Sequence, residues 1–171
     1  MSLDTAVPIA VDLLTKLEGF RPFPYFDVNG YAIGYGNHYY EDGSPVSADD
    51  DPITQDRATQ LLTYFATQNG QAIVNQVTTP LSDNQLAALI SIRYNCGTIT
   101  QALLNLVNSG ASSQDIADQI KRTCITSQGA VNPELISRRV TEAGLFLSPG
   151  MGSIAFLGAL ALAALIWVLV K

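Results

Sequence analysis

Residues 151–170 form a run of twenty residues without a charge, closed by Lys171. A helix of that length spans about 30 Å, the hydrocarbon thickness of a bilayer. A buried core helix of similar length ordinarily keeps a polar stripe, and SIAFLGALALAALIWVLVK has none. Ser148, Pro149 and Gly150 interrupt the preceding helical pattern and read as a linker. The chain therefore divides into a folded domain over residues 1–147, a linker over 148–150 and a transmembrane helix over 151–171. Trp167 suits an interfacial depth, and Lys171 can reach head groups. Gly158 and the alanines at 155, 159, 161, 163 and 164 would let helices approach closely, but that is ordinary membrane-helix composition and implies no oligomer. The opening residues do not read as a signal peptide. They carry Asp4 and Asp12 and lack both a basic segment and a continuous apolar stretch. The expectation is a single-pass membrane protein.

The remaining length suffices for one compact domain with a core. Charge narrows its partners. Residues 1–60 hold three basic and ten acidic side chains, residues 61–150 hold five of each, and the whole chain carries −6. A nucleic-acid partner, which needs a basic surface, is excluded. The same charge gives no steering toward an anionic cell wall. Cys96 and Cys124 sit in no CxxC pattern, and His38 is the single histidine. A metal site is therefore not expected, nor is any cofactor. The two thiols are expected to be free and buried, pairing only in an oxidising space.

Periodicity predicts an α+β fold. Ile9, Leu13, Leu14 and Leu17 recur at helical spacing over 8–18, with Pro8 at the first position and Gly19 as C-cap. Residues 23–36 turn aromatic and β-branched around Asn29-Gly30, a hairpin signal, and a short third strand is expected near 44–46. Thr54 caps a helix to about residue 68. Ser82-x-x-Gln85 is a capping box opening a helix over 83–95. Further helices fall near 99–108, 113–122 and 133–147, the last entered through Asn132-Pro133. A small hairpin lobe should face a larger helical lobe across a cleft.

Two carboxylates stand where chemistry would need them. Glu18 closes the first helix and Asp27 precedes the hairpin turn. Cleaving a glycosidic bond takes two such groups: an acid that protonates the leaving oxygen, and an ionised partner that positions water or stabilises positive charge on the sugar. Leu17, Gly19 and Phe20 around Glu18 suggest the partial burial that favours a protonated acid. Helix-end glutamates are common, however, and an Asp before Asn-Gly often only hydrogen-bonds its turn. The reading requires Glu18 to face the groove, clear of an arginine that would keep it charged.

The spacing pattern resembles a known family. Glu18-Gly19-Phe20, then Asp27, Gly30 and Ile33-Gly34-Tyr35-Gly36 resemble the phage-type lysozymes, glycoside hydrolase family 24. So do Ile53-Thr54, the segment Pro80-Leu81-Ser82-x-x-Gln85-x-x-Ala88-Leu89, the run Tyr94-Asn95-Cys96-Gly97, and Ser137-Arg138-Arg139 with Glu142. The resemblance implies a lysozyme-like fold and cleavage of the β-1,4 bond between N-acetylmuramic acid and N-acetylglucosamine in peptidoglycan glycan strands. It places Glu18 as general acid and Asp27 as second carboxylate. It puts Gly34, Tyr35, Gly36, His38, Tyr94 and Asn95 near the glycan, although core packing explains Tyr35 and Tyr94 about equally well. One departure stands out. The family carries a threonine before its Ile-Gly-Tyr-Gly run, where it helps hold the attacking water. Here the residue is Ala32, and the spacing from Asp27 is one shorter. Either His38, Tyr31 or Asn37 holds the water, or the sugar's own 6-hydroxyl attacks, which is lytic transglycosylation.

Three functions follow. The first is an active muralytic enzyme for host lysis or wall entry by a phage, held in the host inner membrane or a virion membrane and acting on the periplasmic wall. The second is a retired enzyme kept as a virion structural protein. The third is a lysis pore built from the tail. Arg138-Arg139 and Lys121-Arg122 read as solvated helix faces, with contact to muramyl carboxylates or pairing to Glu142 as the alternatives.

Overall fold

The computed structural model describes residues 2–27 and 29–150. Among them no helix is long and apolar enough to cross a membrane. The expected span over 151–171 lies outside the described residues.

The first helix, α1 (Leu3–Glu18), begins five residues before the expected start and carries Pro8 inside it. The proline's missing N–H costs one helical hydrogen bond. Two anchors offset it. The Ser2 hydroxyl caps the Asp4 N–H, and the Ser2 N–H donates to Asp83 Oδ1 at 2.9 Å. Ala6, Val7, Ala10 and Leu14 then bury one face. Gly19 ends the helix at φ +69, as expected of a C-cap glycine.

The hairpin pairs β1 (Arg21–Asp27) with β2 (Gly30–Gly34) in antiparallel register, Asp27 opposite Gly30 and Tyr25 opposite Ala32. Pro22 and Pro24 cannot donate to the ladder, and the register slips between Arg21 and Tyr25. The expected third strand reduces to one bridge, Tyr39 with Pro45, and a Val46 N–H donated to the His38 carbonyl.

Helix α2 (Gln55–Val74) is capped by Thr54 and runs past the expected end. Gly70 lets it continue in close contact, since a Cβ there would meet Leu3 at 2.6 Å and Ile90 at 3.1 Å. Helix α3 (Asp83–Cys96) opens with both halves of the Ser82/Gln85 capping box. Every residue from 86 to 92 is buried. A helix apolar all round belongs at the centre of a bundle, and α1, α2 and α6 (Pro133–Leu147) all pack on α3. Helices α4 (Gln101–Asn108) and α5 (Ser113–Ile120) close the distal side. A short hairpin absent from the sequence reading, β3 (Thr126–Ser127) with β4 (Ala130–Val131), leads into α6 through the Asn132 cap. The architecture is α+β, a hairpin lobe set against a helical lobe.

Candidate active site

The cleft lies where the end of α1, the hairpin and the end of α3 converge. Its volume is about 460 Å³, and its walls include Glu18, Asp27, Gly36, His38, Tyr94 and Asn95. The two carboxylates arrive by different routes. Gly19 stops α1, so Glu18 projects from a helix end. Asp27 ends β1, where its Oδ1 accepts the Asn29 N–H at 2.8 Å.

Glu18 is sheltered, with 20% of its side chain exposed, and it faces the groove. Its Oε2 points toward Gly36, whose missing Cβ would lie 3.8 Å away. The φ of +87 at Gly36 is a second reason for glycine there. The other requirement placed on Glu18 fails: it is not clear of arginines. Arg138 Nη1 donates to Glu18 Oε1 at 2.6 Å. That guanidinium is shared, because Arg138 Nε also donates to Glu142 Oε1 at 3.2 Å. Among the described residues Oε2 makes no hydrogen bond to the protein.

The arginine pair corrects the expectation of a solvated helix face. Arg139 and Glu142 are 0% exposed and Arg138 is buried. Arg139 Nη1 donates to Glu142 Oε2, and its Nη2 to Asn95 Oδ1. The Ser91 hydroxyl donates to Glu142 Oε1 at 2.6 Å. Burial pushes the Glu142 carboxyl up, and Arg139, Ser91 and Arg138 oppose that push. This network ties α6 to the centre of α3 and delivers one cation to Glu18. Its signal in the sequence was the spacing of Arg138, Arg139 and Glu142, which puts opposite charges three and four residues apart on one helix.

Two expected glycan contacts are not in the cleft. Tyr35 is 2% exposed and belongs to the core, its ring tilted against Phe20 with centroids 5.8 Å apart and its hydroxyl accepting from Gln55. Gly34 is buried against α2, where a Cβ would meet the Ala58 Cβ at 3.0 Å. Burial is continuous from Ala32 through Tyr35 rather than alternating, and packing explains both residues. Tyr94 does both jobs. Its hydroxyl donates to the Tyr35 carbonyl at 2.9 Å while its ring lines the cleft. Burial, with the Glu18 carboxylate nearby, pushes its phenol up and keeps it a donor. Asn95 holds Arg139 as well as facing the groove. Tyr25, Asn29, Cys96 and Gly97 also line the cleft; the sequence offered no periodic signal for them. Cys96 and Cys124 are free. Burial, then a hydrogen bond with Cys124, pushes the Cys96 thiol up.

The fold agrees with that of known proteins. The family model described as phage lysozyme matches residues 15–142. The chain belongs to the phage lysozyme family. It is therefore a member of a glycosidase family whose activity is peptidoglycan degradation. This phage lysozyme is 31% identical over 143 residues to the endolysin of Acyrthosiphon pisum secondary endosymbiont phage 1, covering 80% of this chain and 93% of the relative. Among solved structures it is similar to the endolysin from Escherichia coli O157:H7 phage FAHEc1. There the TM-score is 0.73 at 26% identity, over 86% of this chain and 94% of that one. It is also similar to the muramidase domain of SpmX from Asticaccaulis excentricus, with TM-score 0.68 at 30% identity over 82% and 95%. A P22 lysozyme mutant gives 0.69 at 29% over 81% and 95%.

Proposed function

We propose that this lysozyme is a muramidase that cleaves the β-1,4 bond between N-acetylmuramic acid and N-acetylglucosamine, serving host lysis or wall penetration by a phage. The observation that carries the reading is the convergence of Glu18 and Asp27, from a helix end and a hairpin end, on one open cleft. Glu18 supplies the proton to the bridging oxygen from Oε2, while Oε1 remains against Arg138. A carboxylic acid can donate from one oxygen and accept at the other, and Glu142 takes part of the same guanidinium. Asp27 serves the opposite side of the sugar ring, accepting a proton from water or stabilising the developing oxocarbenium charge. His38, Tyr94 and Asn95 border the space the glycan would fill, and Gly36 keeps that space open.

Residues 151–171 serve as a single-pass anchor in the host inner membrane or a virion membrane, with the domain turned toward the periplasmic wall. Their uncharged length supports this. Deleting them should leave the domain folded and active; a truncated domain that unfolds would remove the anchor from the reading.

A second reading is favoured by Ala32. Its side chain is wholly buried and brings no hydroxyl to the cleft. Lytic transglycosylation needs no attacking water and would release 1,6-anhydro ends. A zymogram on bacterial wall tests the main assignment: wild type clears, and Glu18→Gln clears nothing. Clearing by Glu18→Gln at the wild-type rate refutes the role given to Glu18. Mass spectrometry of the fragments separates reducing from 1,6-anhydro ends, and so hydrolase from transglycosylase.

A further inference from the structure

Asp27 is gripped at both oxygens, and the second grip comes from the chain's only histidine. Oδ1 accepts the Asn29 N–H at 2.8 Å, and His38 Nε2 stands 3.2 Å from Oδ2. The imidazole is itself tethered, with Nδ1 2.9 Å from the Tyr31 carbonyl oxygen. Its backbone is fixed too, since the His38 carbonyl accepts the Val46 N–H at 2.8 Å. We propose that His38 is the positioning residue of Asp27, fixing the orientation of its carboxylate in the cleft. The inference rests on the muramidase reading for its consequence in catalysis, but its geometry stands apart from it.

Hydrogen-bond chemistry fixes the ring protons. A carbonyl oxygen only accepts, so the contact with Tyr31 puts the hydrogen on Nδ1. A bare lone pair on Nε2 facing a carboxylate oxygen at 3.2 Å would be repulsive. The Asp27–His38 contact is therefore an Nε2–H donated to Oδ2, which leaves Asp27 ionised and able to accept a proton. Free neutral imidazole has its hydrogen on one nitrogen or the other; here the Tyr31 carbonyl holds one on Nδ1 and Asp27 one on Nε2. The anchor to Tyr31 makes the ring a rigid strut between β2 and Asp27 at the end of β1.

The strut matters at one step of hydrolysis. The water oxygen bonds to the anomeric carbon as the bond from that carbon to the bridging oxygen breaks. Glu18 gives its proton to the bridging oxygen, and the proton lost by the water passes to Asp27. The Asp27–His38 pair then holds two protons and returns one to solvent as product leaves. Without His38, Asp27 keeps only the Asn29 N–H and can rotate away from the water. Misplacement of a reacting group by about 1 Å costs about 100-fold in rate.

The test uses the full-length chain in detergent micelles with solubilised glycan strands as substrate. His38→Ala should lower kcat by about 10- to 100-fold with KM changed by less than about threefold. His38→Gln, which keeps an N–H donor near the carboxylate, should recover part of the loss. The second readout needs no activity and no stable variant at position 38. With a single histidine, the imidazole 15N signals are unambiguous. The wild type should show a protonated Nδ1, and Asp27→Asn should move Nε2 toward the unprotonated position while Nδ1 keeps its hydrogen. A kcat for His38→Ala within about twofold of wild type overturns the proposal. So does a loss confined to KM, or a spectrum with an unprotonated Nδ1 that ignores Asp27→Asn. Failure of the muramidase reading looks different, because an active Glu18→Gln removes that assignment and leaves the spectrum to judge His38 alone.

Discussion

Glu142→Gln tests whether the arginine pair is held by charge or merely packed. In the wild type two guanidiniums, Arg138 and Arg139, face two carboxylates, Glu18 and Glu142. Glu142 is 0% exposed and accepts from Ser91, Arg138 and Arg139. The amide is nearly isosteric, yet it replaces an acceptor oxygen with an NH₂ that confronts a donor, and it leaves one buried positive charge uncompensated. Removing one partner of a buried pair costs about 3–5 kcal/mol. At about 2–4 °C per kcal/mol for a domain of this size, the melting temperature should fall by about 6–20 °C. Differential scanning fluorimetry at pH 7 measures it. Glycan cleavage well below the melt should fall as well, because Arg138 reaches Glu18 and Arg139 reaches Asn95 from the same carboxylate. Adding Arg139→Met should restore part of the stability by removing the stranded charge. A melt within about 2 °C of wild type would refute the account, since buried guanidiniums would then be tolerating the loss of their counter-charge.

Two further perturbations separate packing from catalysis and fix a pH dependence. Gly34→Ala pushes a methyl to 3.0 Å from the Ala58 Cβ at a φ of +67. It should cost about 2–4 kcal/mol by chemical denaturation while leaving KM of the folded fraction unchanged, as fits a residue outside the cleft. Asp83 is held low, first by the Ser2 N–H and then by Thr5. A depressed folded-state carboxyl adds stability that is full above the ordinary carboxylate range and is lost as pH falls through the folded value. Asp83→Asn should therefore melt about 2–4 °C lower at pH 7, with solvent screening keeping the effect small. The gap should narrow as the pH falls below the ordinary carboxylate range and close once it passes the depressed folded value, and a gap that never narrows would show the effect is not electrostatic.

The local rules in this chain were readable because their causes are local. Ser82 and Gln85 specify a capping box by spacing alone, and the Asn132-Pro133 entry and Gly19 stop need no distant partner. Helix extent was less legible. The start of α1 depends on Ser2 reaching Asp83, and the continuation of α2 depends on Gly70 fitting against Leu3 and Ile90. The two-residue strands β3 and β4 are too short to produce a pattern. Tyr35 and Gly34 share a motif with Gly36, yet packing against Phe20, Gln55 and Ala58 turns the first two inward.

By itself the sequence determined that helices surround the hairpin of residues 21–34, that a glutamate ends the first helix, and that an aspartate closes the first strand. Periodicity, capping and turn chemistry act over a few residues, so the order of side chains suffices. Tertiary structure alone decided that Arg138 meets Glu18 across 120 positions of chain and that His38 closes on Asp27. Such contacts depend on how helices and hairpin pack, and burial turns an ordinary pair of helix arginines into the charge that sits beside Glu18.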